Sequence, residues 1–255
     1  MQWRRSSTDS TPDEAAIEEI VNTNVGIAAR FGPKLRQRLL AHVDELLRTK
    51  RWEAVAGSEL TDEILVTLAA NAAIPVLSFD LWPYRQVRSI IVRPTASMSG
   101  GLRAGPVAGT YTDQPVGIIG VASPHSGPVS ISWDAALAGS RRPAYGSNVV
   151  IHEFAHKIDM NDGYADGVPP LRGAALDHWQ HVLDDEFHRT EGRDSDVVLR
   201  PYAWASPAEF FAVATEAFFC VPSELAVAKP TLYTALSDLY QQSPAVDWLP
   251  LDTAS

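Results

Sequence analysis

Apolar residues recur three or four positions apart along most of the chain, which is the spacing of one face of an α-helix. The clearest stripe predicts a helix over about residues 33–50, directly after a break at Gly32. Its apolar positions are Leu35, Leu39, Leu40, Val43, Leu46 and Leu47. The same spacing predicts further helices over about residues 12–25, from Thr61 onward, and over about 147–160, 172–190, 207–220 and 230–242.

The middle third of the chain has the composition of β-strands instead. Short runs of β-branched residues, bounded by Gly, Pro or Ser, predict strands at residues 89–94, 116–122 and 128–133. The short connection between the last two runs favours a hairpin. In the last run, apolar residues alternate with Ser130 and Ser132, so we expect one face of that strand to meet solvent.

The chain shows no internal repeat and no shift in composition that would mark a linker. Residues 1–12 are rich in Ser, Thr, Arg and Asp, and we expect them to form a disordered tail. Residues 13–255 are expected to form a single α+β domain, mostly helical around a small β-sheet. Residues 95–114, which are rich in Gly, Ser and Thr, predict a loop that covers the functional site.

Composition and charge exclude several classes of protein. The chain has 255 residues and a net charge of −10, and its Lys and Arg residues cluster no further than pairs such as Arg141-Arg142. We therefore expect no direct binding to nucleic acid and none to an anionic membrane. The chain contains no run of about 18 apolar residues, so we expect no membrane-spanning segment. Residues 1–13 lack the apolar core of a secretory signal, so we expect a cytoplasmic protein.

One short pattern indicates chemistry. The sequence HEFAH occupies residues 152–156, within the helix predicted over about 147–160. Residues four apart lie on one helical face, so His152 and His156 can point at one metal ion. Glu153 then lies near the open coordination position, where it can take a proton from water. This spacing is typical of zinc hydrolases, most of which cut peptide bonds.

A catalytic zinc site needs a third protein ligand. The single cysteine, Cys220, lies in an apolar run and is interpreted as a buried, inert thiol, so the ligand must be a histidine or a carboxylate. The residue six positions after His156 is Asp162, which excludes the three-histidine pattern. His178 and His181 lie three apart on a predicted helix, and we expect them to face solvent rather than a metal.

Two glutamates are the remaining candidates. Glu209 and Glu216 are seven residues apart and therefore lie nearly on one helical face. Glu209 also fits a capping box that begins at Ser206, which would make it a structural residue. Its aromatic neighbours, Phe210 and Phe211, instead favour a buried carboxylate that requires a cation. Spacing alone leaves both glutamates open.

Two long blocks of sequence resemble those of a known family, the Mlc titration factor A family of zinc peptidases. The first block spans residues 152–167, and the second, residues 202–219, reads YAWASPAEFFAVATEAFF. Shorter similar stretches extend the resemblance over most of residues 35–242, namely residues 73–77, 127–133 and 229–240. The catalytic part of anthrax lethal factor is similar, more distantly, in the same two blocks. The resemblance implies a zincin-like metallopeptidase domain.

At matching positions, the resemblance implies a role for each site residue. One Zn²⁺ per chain would be held by His152, His156 and Glu209. Glu153 would be the general base, and the phenol of Tyr202 would donate a hydrogen bond to the oxyanion of the tetrahedral intermediate. Asp159 would either accept an imidazole N–H behind the ligands or cap the helix end, and we do not count it as catalytic.

The resemblance also implies two functions. The first is aminopeptidase-like hydrolysis of a peptide or protein substrate. The alternative is a zinc-containing regulatory protein that sequesters a transcription repressor, as the family does with Mlc, and that has weak or incidental peptidase activity. No motif in this chain corresponds to a repressor-binding surface. Residues 1–34 and 243–255 resemble the family poorly.

Overall fold

The computed structural model describes backbone and side chains for four stretches, residues 12–55, 59–95, 127–188 and 196–249. It describes the backbone alone of six short strands, β1 (Trp3–Arg4), β4 (Ser97–Ser99), β5 (Arg103–Ala104), β6 (Tyr111–Thr112), β7 (Val116–Ile118) and β8 (Gly120–Ala122). The other strands are β2 (Arg51–Ala54), β3 (Ser89–Arg93) and β9 (Val129–Ser132).

Helices account for most of the described residues. They are α1 (Glu14–Asn24), α2 (Pro33–Thr49), α3 (Asp62–Ala73), α4 (Trp133–Arg141), α5 (Val149–Asp159), α6 (Ala174–Phe187), α7 (Pro207–Cys220), α8 (Pro222–Ala228), α9 (Pro230–Tyr240) and α10 (Pro244–Asp247). The helices predicted from apolar spacing are confirmed. Helices α4, α8 and α10 were not predicted, because each is too short to show a repeated apolar face.

Side-chain caps determine where the two central helices begin. At the start of α5, Asn148 Oδ1 accepts hydrogen bonds from the backbone N–H groups of Val150 and Ile151, at 3.1 Å and 3.2 Å. At the start of α7, Ser206 Oγ accepts from the backbone N–H of Glu209 at 3.2 Å. Each cap satisfies N–H groups that have no partner inside the helix, and removing one typically costs about 1 kcal/mol.

A five-stranded sheet runs in the order β1-β2-β3-β9-β8. The three central strands are parallel, with Ile90 of β3 opposite Val129 of β9. Strands β1 and β8 pair antiparallel at the two ends. The pairing of β8 with β9 confirms the predicted hairpin, and the fold is α+β and mostly helical, as predicted. The predicted strand at 116–122 is two strands, since β7 pairs with β4 in a separate small sheet.

The prediction of a solvent-facing side on β9 is wrong. Ser130 is 6% exposed and Ser132 is 1% exposed. All four residues of β9 are buried, and the strand contacts α5, so both of its faces are covered. The hydroxyl of Ser132 is satisfied by a hydrogen bond to the carboxylate of Asp134 in the following helix.

Two predictions fall largely outside the described residues. Within 95–114, the backbone of β4, β5 and β6 is described, but whether this segment covers the functional site is not. Within the predicted tail at 1–12, Trp3–Arg4 pairs antiparallel with Ala54 and Glu53. The division into a disordered tail and a single domain stays a prediction.

Among the described residues, no single helix is long and apolar enough to span a membrane. Helices α7 and α8 satisfy the length and composition together, but they are bent by 118° at the break between them.

Helices α5 and α7 contact each other in the core. Every residue of α5 from Val150 to Asp159 is buried, and so is every residue of α7 from Phe210 to Cys220. A helix that is buried all round is normally apolar all round. These two carry buried His, Glu and Asp side chains instead, and each such side chain requires a polar partner.

The loop that follows α5 is packed tightly against the start of α7. Asp159 Oδ2 accepts the backbone N–H of Gly167 at 3.1 Å, and Trp179 of α6 donates its indole N–H to the Gly167 carbonyl at 2.8 Å. Gly167 has a φ of 76°, and a Cβ atom there would lie 2.2 Å from the carbonyl oxygen of Pro207. Both the left-handed backbone and the close approach therefore require glycine at this position.

We predict that Gly167→Ala destabilises the fold much more than Gly163→Ala. Gly163 also has a positive φ, 106°, but no atom lies within 4 Å of its added Cβ. We expect a loss of about 1 kcal/mol in the free energy of unfolding for Gly163→Ala and of about 3 kcal/mol or more for Gly167→Ala. Urea unfolding followed by circular dichroism measures both, and equal losses would show that the contact with Pro207 is unimportant.

Candidate metal centre

Three side chains from two helices converge on one point. His152 and His156 lie one turn apart on α5, and Glu209 lies in the first turn of α7. Their ligand atoms all lie within 4.8 Å of one another. The two Nε2 atoms are 3.2 Å apart, and Glu209 Oε2 is 3.0 Å from that of His152 and 3.4 Å from that of His156. The structure thus brings together the three residues that the family resemblance implied as ligands.

This triangle of donor atoms fits a small divalent cation. Bonds of 2.0–2.1 Å in a tetrahedral site place donor atoms about 3.3 Å apart, close to the separations observed. Among the described residues, the buried Oε2 of Glu209 has no aligned hydrogen-bond partner, which is unusual for a charged oxygen. Two imidazoles and a carboxylate are also a donor set that zinc uses in enzymes. The residues present therefore fit a metal ion.

The ligands differ in how they hold protons. Burial lowers the pKa of His152, but contacts with Glu209 and Glu216 outweigh burial and raise it to about 10. Burial leaves the pKa of His156 below its usual value. Burial acts to raise the pKa of Glu209, yet the two imidazoles hold it well below its usual range. Both glutamates therefore favour the protonated form of His152, so a metal ion competes with a proton at this imidazole.

Glu153 is buried beside these groups but is not one of the three donors. It is 3% exposed, and its Oε2 has no hydrogen-bond partner among the described residues. Burial, together with the nearby negative charge of Glu209, raises its pKa to about 7, although His152 opposes the shift. A carboxyl group with a pKa near neutrality can both accept and release a proton, as a general acid–base residue must.

Glu216 lies behind His152 and not among the three donors. Its Oε1 accepts a hydrogen bond from His152 Nδ1 at 2.8 Å, and its Oε2 accepts the backbone N–H of Asn148 at 2.6 Å. The guanidinium of Arg200 also pairs with Oε1. An imidazole that donates through Nδ1 presents Nε2 to the metal site.

Sequence reasoning missed the roles of these two residues. For Glu216, the available signal was a glutamate inside the mostly apolar run of residues 210–220, which implies a buried partner. For Arg200, no motif marks the residue.

Tyr202 lies beside the three donors. It belongs to the 3₁₀ turn Pro201–Ala205 that precedes α7, and the residue is 51% exposed. The centre of its ring is 6.2 Å from that of His152. Partial burial of this half-exposed side chain, followed by contact with Glu209, raises its pKa above the usual value. The phenol therefore stays protonated and can donate a hydrogen bond at neutral pH.

The other sequence candidates lie away from this site. Cys220 is buried and unpaired, and burial raises the pKa of its thiol, as expected for an inert residue. His181 is exposed on α6, where its Nε2 lies 3.4 Å from Asp185 Oδ2. Its neighbour His178 is partly buried on the same helix, and neither belongs to the group of three donors.

Asp159 takes neither of the two roles weighed from the sequence. It is fully buried and accepts the backbone N–H of Gly167, so it anchors the loop after α5. Among the described residues, it forms no hydrogen bond to an imidazole, and its Oδ1 has no partner. Burial, aided by the charges of Asp166 and Asp162, raises the pKa of Asp159 to about 7.

We predict that Asp159 makes the metal-free protein less stable as the pH rises. Its pKa is about 7 in the fold and about 4 in an unfolded chain, so the folded state holds the proton more tightly. Its contribution to stability is therefore present below about pH 4 and is lost as the pH rises through about 7. Asp159→Asn keeps an acceptor for Gly167 without the charge, so it should lose less stability between pH 5 and pH 8.

The expected difference between the two proteins is about 1–3 kcal/mol in the change of unfolding free energy. Urea unfolding at both pH values, in the presence of a chelator, measures it. Equal pH dependence for the two proteins would show that Asp159 does not carry the effect.

Known proteins resemble this chain over most of its length. The profile of the glucose-regulated metallo-peptidase M90 family matches residues 1–241. Mlc titration factor A of Yersinia pestis is 30% identical over 238 residues, which are 87% of this chain and 83% of the relative, and that of Yersinia pseudotuberculosis gives the same values. An uncharacterised protein of Synechocystis sp. is 28% identical over 251 residues, 97% of this chain and 91% of the relative. The chain belongs to the glucose-regulated metallo-peptidase M90 family.

Proposed function

We propose that this protein is a zinc-dependent, aminopeptidase-like metallopeptidase. The observation that carries the proposal is the convergence of His152, His156 and Glu209, whose donor atoms lie 3.0–3.4 Å apart. Membership of a metallopeptidase family supports it. A buried carboxylate beside the donors, Glu153, distinguishes this arrangement from a purely structural metal site, which has no need of a general base.

In the proposed mechanism, His152, His156 and Glu209 hold one Zn²⁺ per chain. When bound, zinc supplies Lewis acidity, which lowers the pKa of water and polarises the carbonyl of the substrate. Glu153 accepts the proton of the attacking water and returns it to the leaving amine. Its burial beside the three donors places a proton acceptor where these transfers require one. The protonated phenol of Tyr202 donates a hydrogen bond to the developing oxyanion.

The sheet suggests how a peptide substrate could be held. Strand β8 stands at one end of the strand order, next to β9, and contacts α5. An end strand offers backbone N–H and C=O groups to an added strand, which is a common way to bind extended peptides. We propose that the substrate pairs with this edge and thereby passes over the HEFAH helix.

We predict that Glu153→Gln keeps the metal and loses the reaction. The substitution preserves the shape of the side chain but removes its ability to accept a proton, so turnover of amino-acid anilides should fall by about 100-fold or more. The wild type and the variant should each contain one zinc per chain, measured by elemental analysis. A chelator should abolish turnover by the wild type, and added zinc should restore it.

Two variants serve as references for this test. His152→Ala should lose both zinc and turnover, since it removes a proposed ligand. His181→Ala, on the exposed face of α6, should retain both. A Glu153→Gln protein with full zinc and full turnover would exclude Glu153 as the base.

A second candidate function is the binding of a transcription repressor. The observation in its favour is the name of the relatives at 30% identity, Mlc titration factor A. In this function, zinc would stabilise the binding surface and hydrolysis would be incidental. A shared compartment with a repressor would also fit the predicted cytoplasmic location.

A pull-down with purified Mlc-type repressor separates the two functions. For a peptidase alone, we predict no retention of the repressor by wild type or by Glu153→Gln. Retention by the wild type, by Glu153→Gln and by folded His152→Ala, together with no turnover of peptides by the wild type, would favour the regulatory function. Circular dichroism of each variant controls for loss of the fold.

A further inference from the structure

The carboxylate of Glu216 joins three separate parts of the fold. Its side chain is 1% exposed, so its charge requires compensation inside the protein. Two of its donors, His152 Nδ1 and the Asn148 backbone N–H, belong to α5 and its cap. The third, the guanidinium of Arg200, comes from neither α5 nor α7. It belongs to the segment that leads into α7.

Arg200 stands immediately before the turn that carries Tyr202. Its carbonyl oxygen accepts the backbone N–H of Ala203 at 2.9 Å, which closes the first turn of Pro201–Ala205. Only one residue separates Arg200 from Tyr202 along the chain. A shift of the Arg200 backbone is therefore passed directly to Tyr202, because so short a connection cannot absorb it.

The chain just before Arg200 is held as well. Asp196 accepts the backbone N–H groups of Val198 and Leu199, at 3.0 Å and 2.7 Å, and pairs with Lys229 Nζ of the α8–α9 junction at 2.8 Å. Arg200 is thus fixed through its backbone on one side and through its guanidinium on the other. A displacement of the segment before α7 would therefore move the Arg200 guanidinium, and with it the buried carboxylate of Glu216.

We propose that Arg200 is a positioning residue for the hydrolytic site, an inference that rests on the function proposed above. By pairing with Glu216, it holds the His152 ring in one orientation. In that orientation, Nδ1 donates to Glu216 and Nε2 faces Glu209 and His156. Through its own backbone, it places the Tyr202 turn beside the same donors. One residue thereby couples the orientation of a metal ligand to that of the oxyanion donor.

An arginine that served only stability would behave differently. Its loss would lower the free energy of unfolding without changing the metal affinity of the folded protein, the exchange of the His152 ring proton or the contribution of Tyr202. Arg48 provides a matched control, since its Nε pairs with Asp44 at 2.9 Å on the exposed face of α2, one turn away along the helix. Arg48→Gln removes a charge and an ion pair at a distance from the site.

Zinc affinity of the full-length chain, measured by competition with a chromophoric chelator, is the first readout. Arg200→Gln should bind zinc about 10–100-fold more weakly than wild type, the usual range for a lost partner behind a ligand. Arg200→Lys keeps the charge without the planar fork, so its affinity should be intermediate. Arg48→Gln should match wild type. Unchanged affinity in both Arg200 variants would overturn the proposal.

The His152 ring proton is the second readout and needs no metal. In the metal-free wild type, the Nδ1–H bonded to Glu216 should give a slowly exchanging nuclear magnetic resonance signal. Arg200→Gln should exchange it faster, and Arg200→Lys should do so to a smaller extent. If the wild type binds no zinc, the proposed function fails, but this signal still tests the link from Arg200 to His152. A signal unchanged in Arg200→Lys would overturn that link, even if Arg200→Gln does not fold.

Turnover of amino-acid anilides is the third readout, through a double-mutant cycle with Tyr202→Phe. If Arg200 places Tyr202, Arg200→Lys should lower kcat more in the wild-type background than in Tyr202→Phe, with zinc saturating in both. The change should appear in kcat rather than in KM, because an oxyanion donor acts in the transition state. Equal reductions in both backgrounds would show that Arg200 does not act through Tyr202.

Discussion

The packing of α5 against α7 is the contact on which the rest of the site depends. Each helix is buried along nearly its whole length, and each carries charged side chains that water cannot reach. The polar side chains of the two helices are partners of one another. Glu209 contacts Nε2 of both imidazoles of α5, and Glu216 accepts a hydrogen bond from Nδ1 of His152. Removing one partner of such a pair would leave the other charge buried and uncompensated, at a cost of several kcal/mol.

The arrangement of charges in this contact also suits the proposed chemistry. His152 stands between two carboxylates and has a raised pKa, whereas His156 faces only one of them and has a lowered pKa. For Glu153, burial outweighs the nearby positive charges of His152 and Lys157 and brings its pKa to about 7. The carboxyl groups of Glu209 and Glu153 thus differ widely in proton affinity, because Glu209 contacts the two imidazoles directly and Glu153 does not. In the proposed function, this difference in pKa separates Glu209, the metal ligand, from Glu153, the general base.

Much of the fold could be predicted from local pattern. Apolar spacing located the long helices, and capping residues such as Thr61 and Ser206 marked their starts, because both signals depend on neighbours a few residues away. The solvent face of β9 was predicted wrongly, since alternation shows which side chains share a face but not what covers it. The prediction of a capping box at Ser206 is confirmed only for Ser206. Ser206 caps α7, while the carboxylate of Glu209 turns to the imidazoles instead.

For the site, the sequence by itself determined that His152, Glu153 and His156 share one turn of helix, because helical period follows from spacing alone. Spacing alone did not separate Glu209 from Glu216, since seven residues return to within about 20° of the same direction, and only the resemblance to a known family named Glu209. Only the tertiary structure shows that the carboxylate of Glu209 faces the two imidazoles, and that Glu216 lies behind His152 and pairs with Arg200. The reason is physical. The two glutamates are about 10 Å apart along α7, at 1.5 Å per residue, and only the docking of α5 determines which one meets the front of the imidazoles.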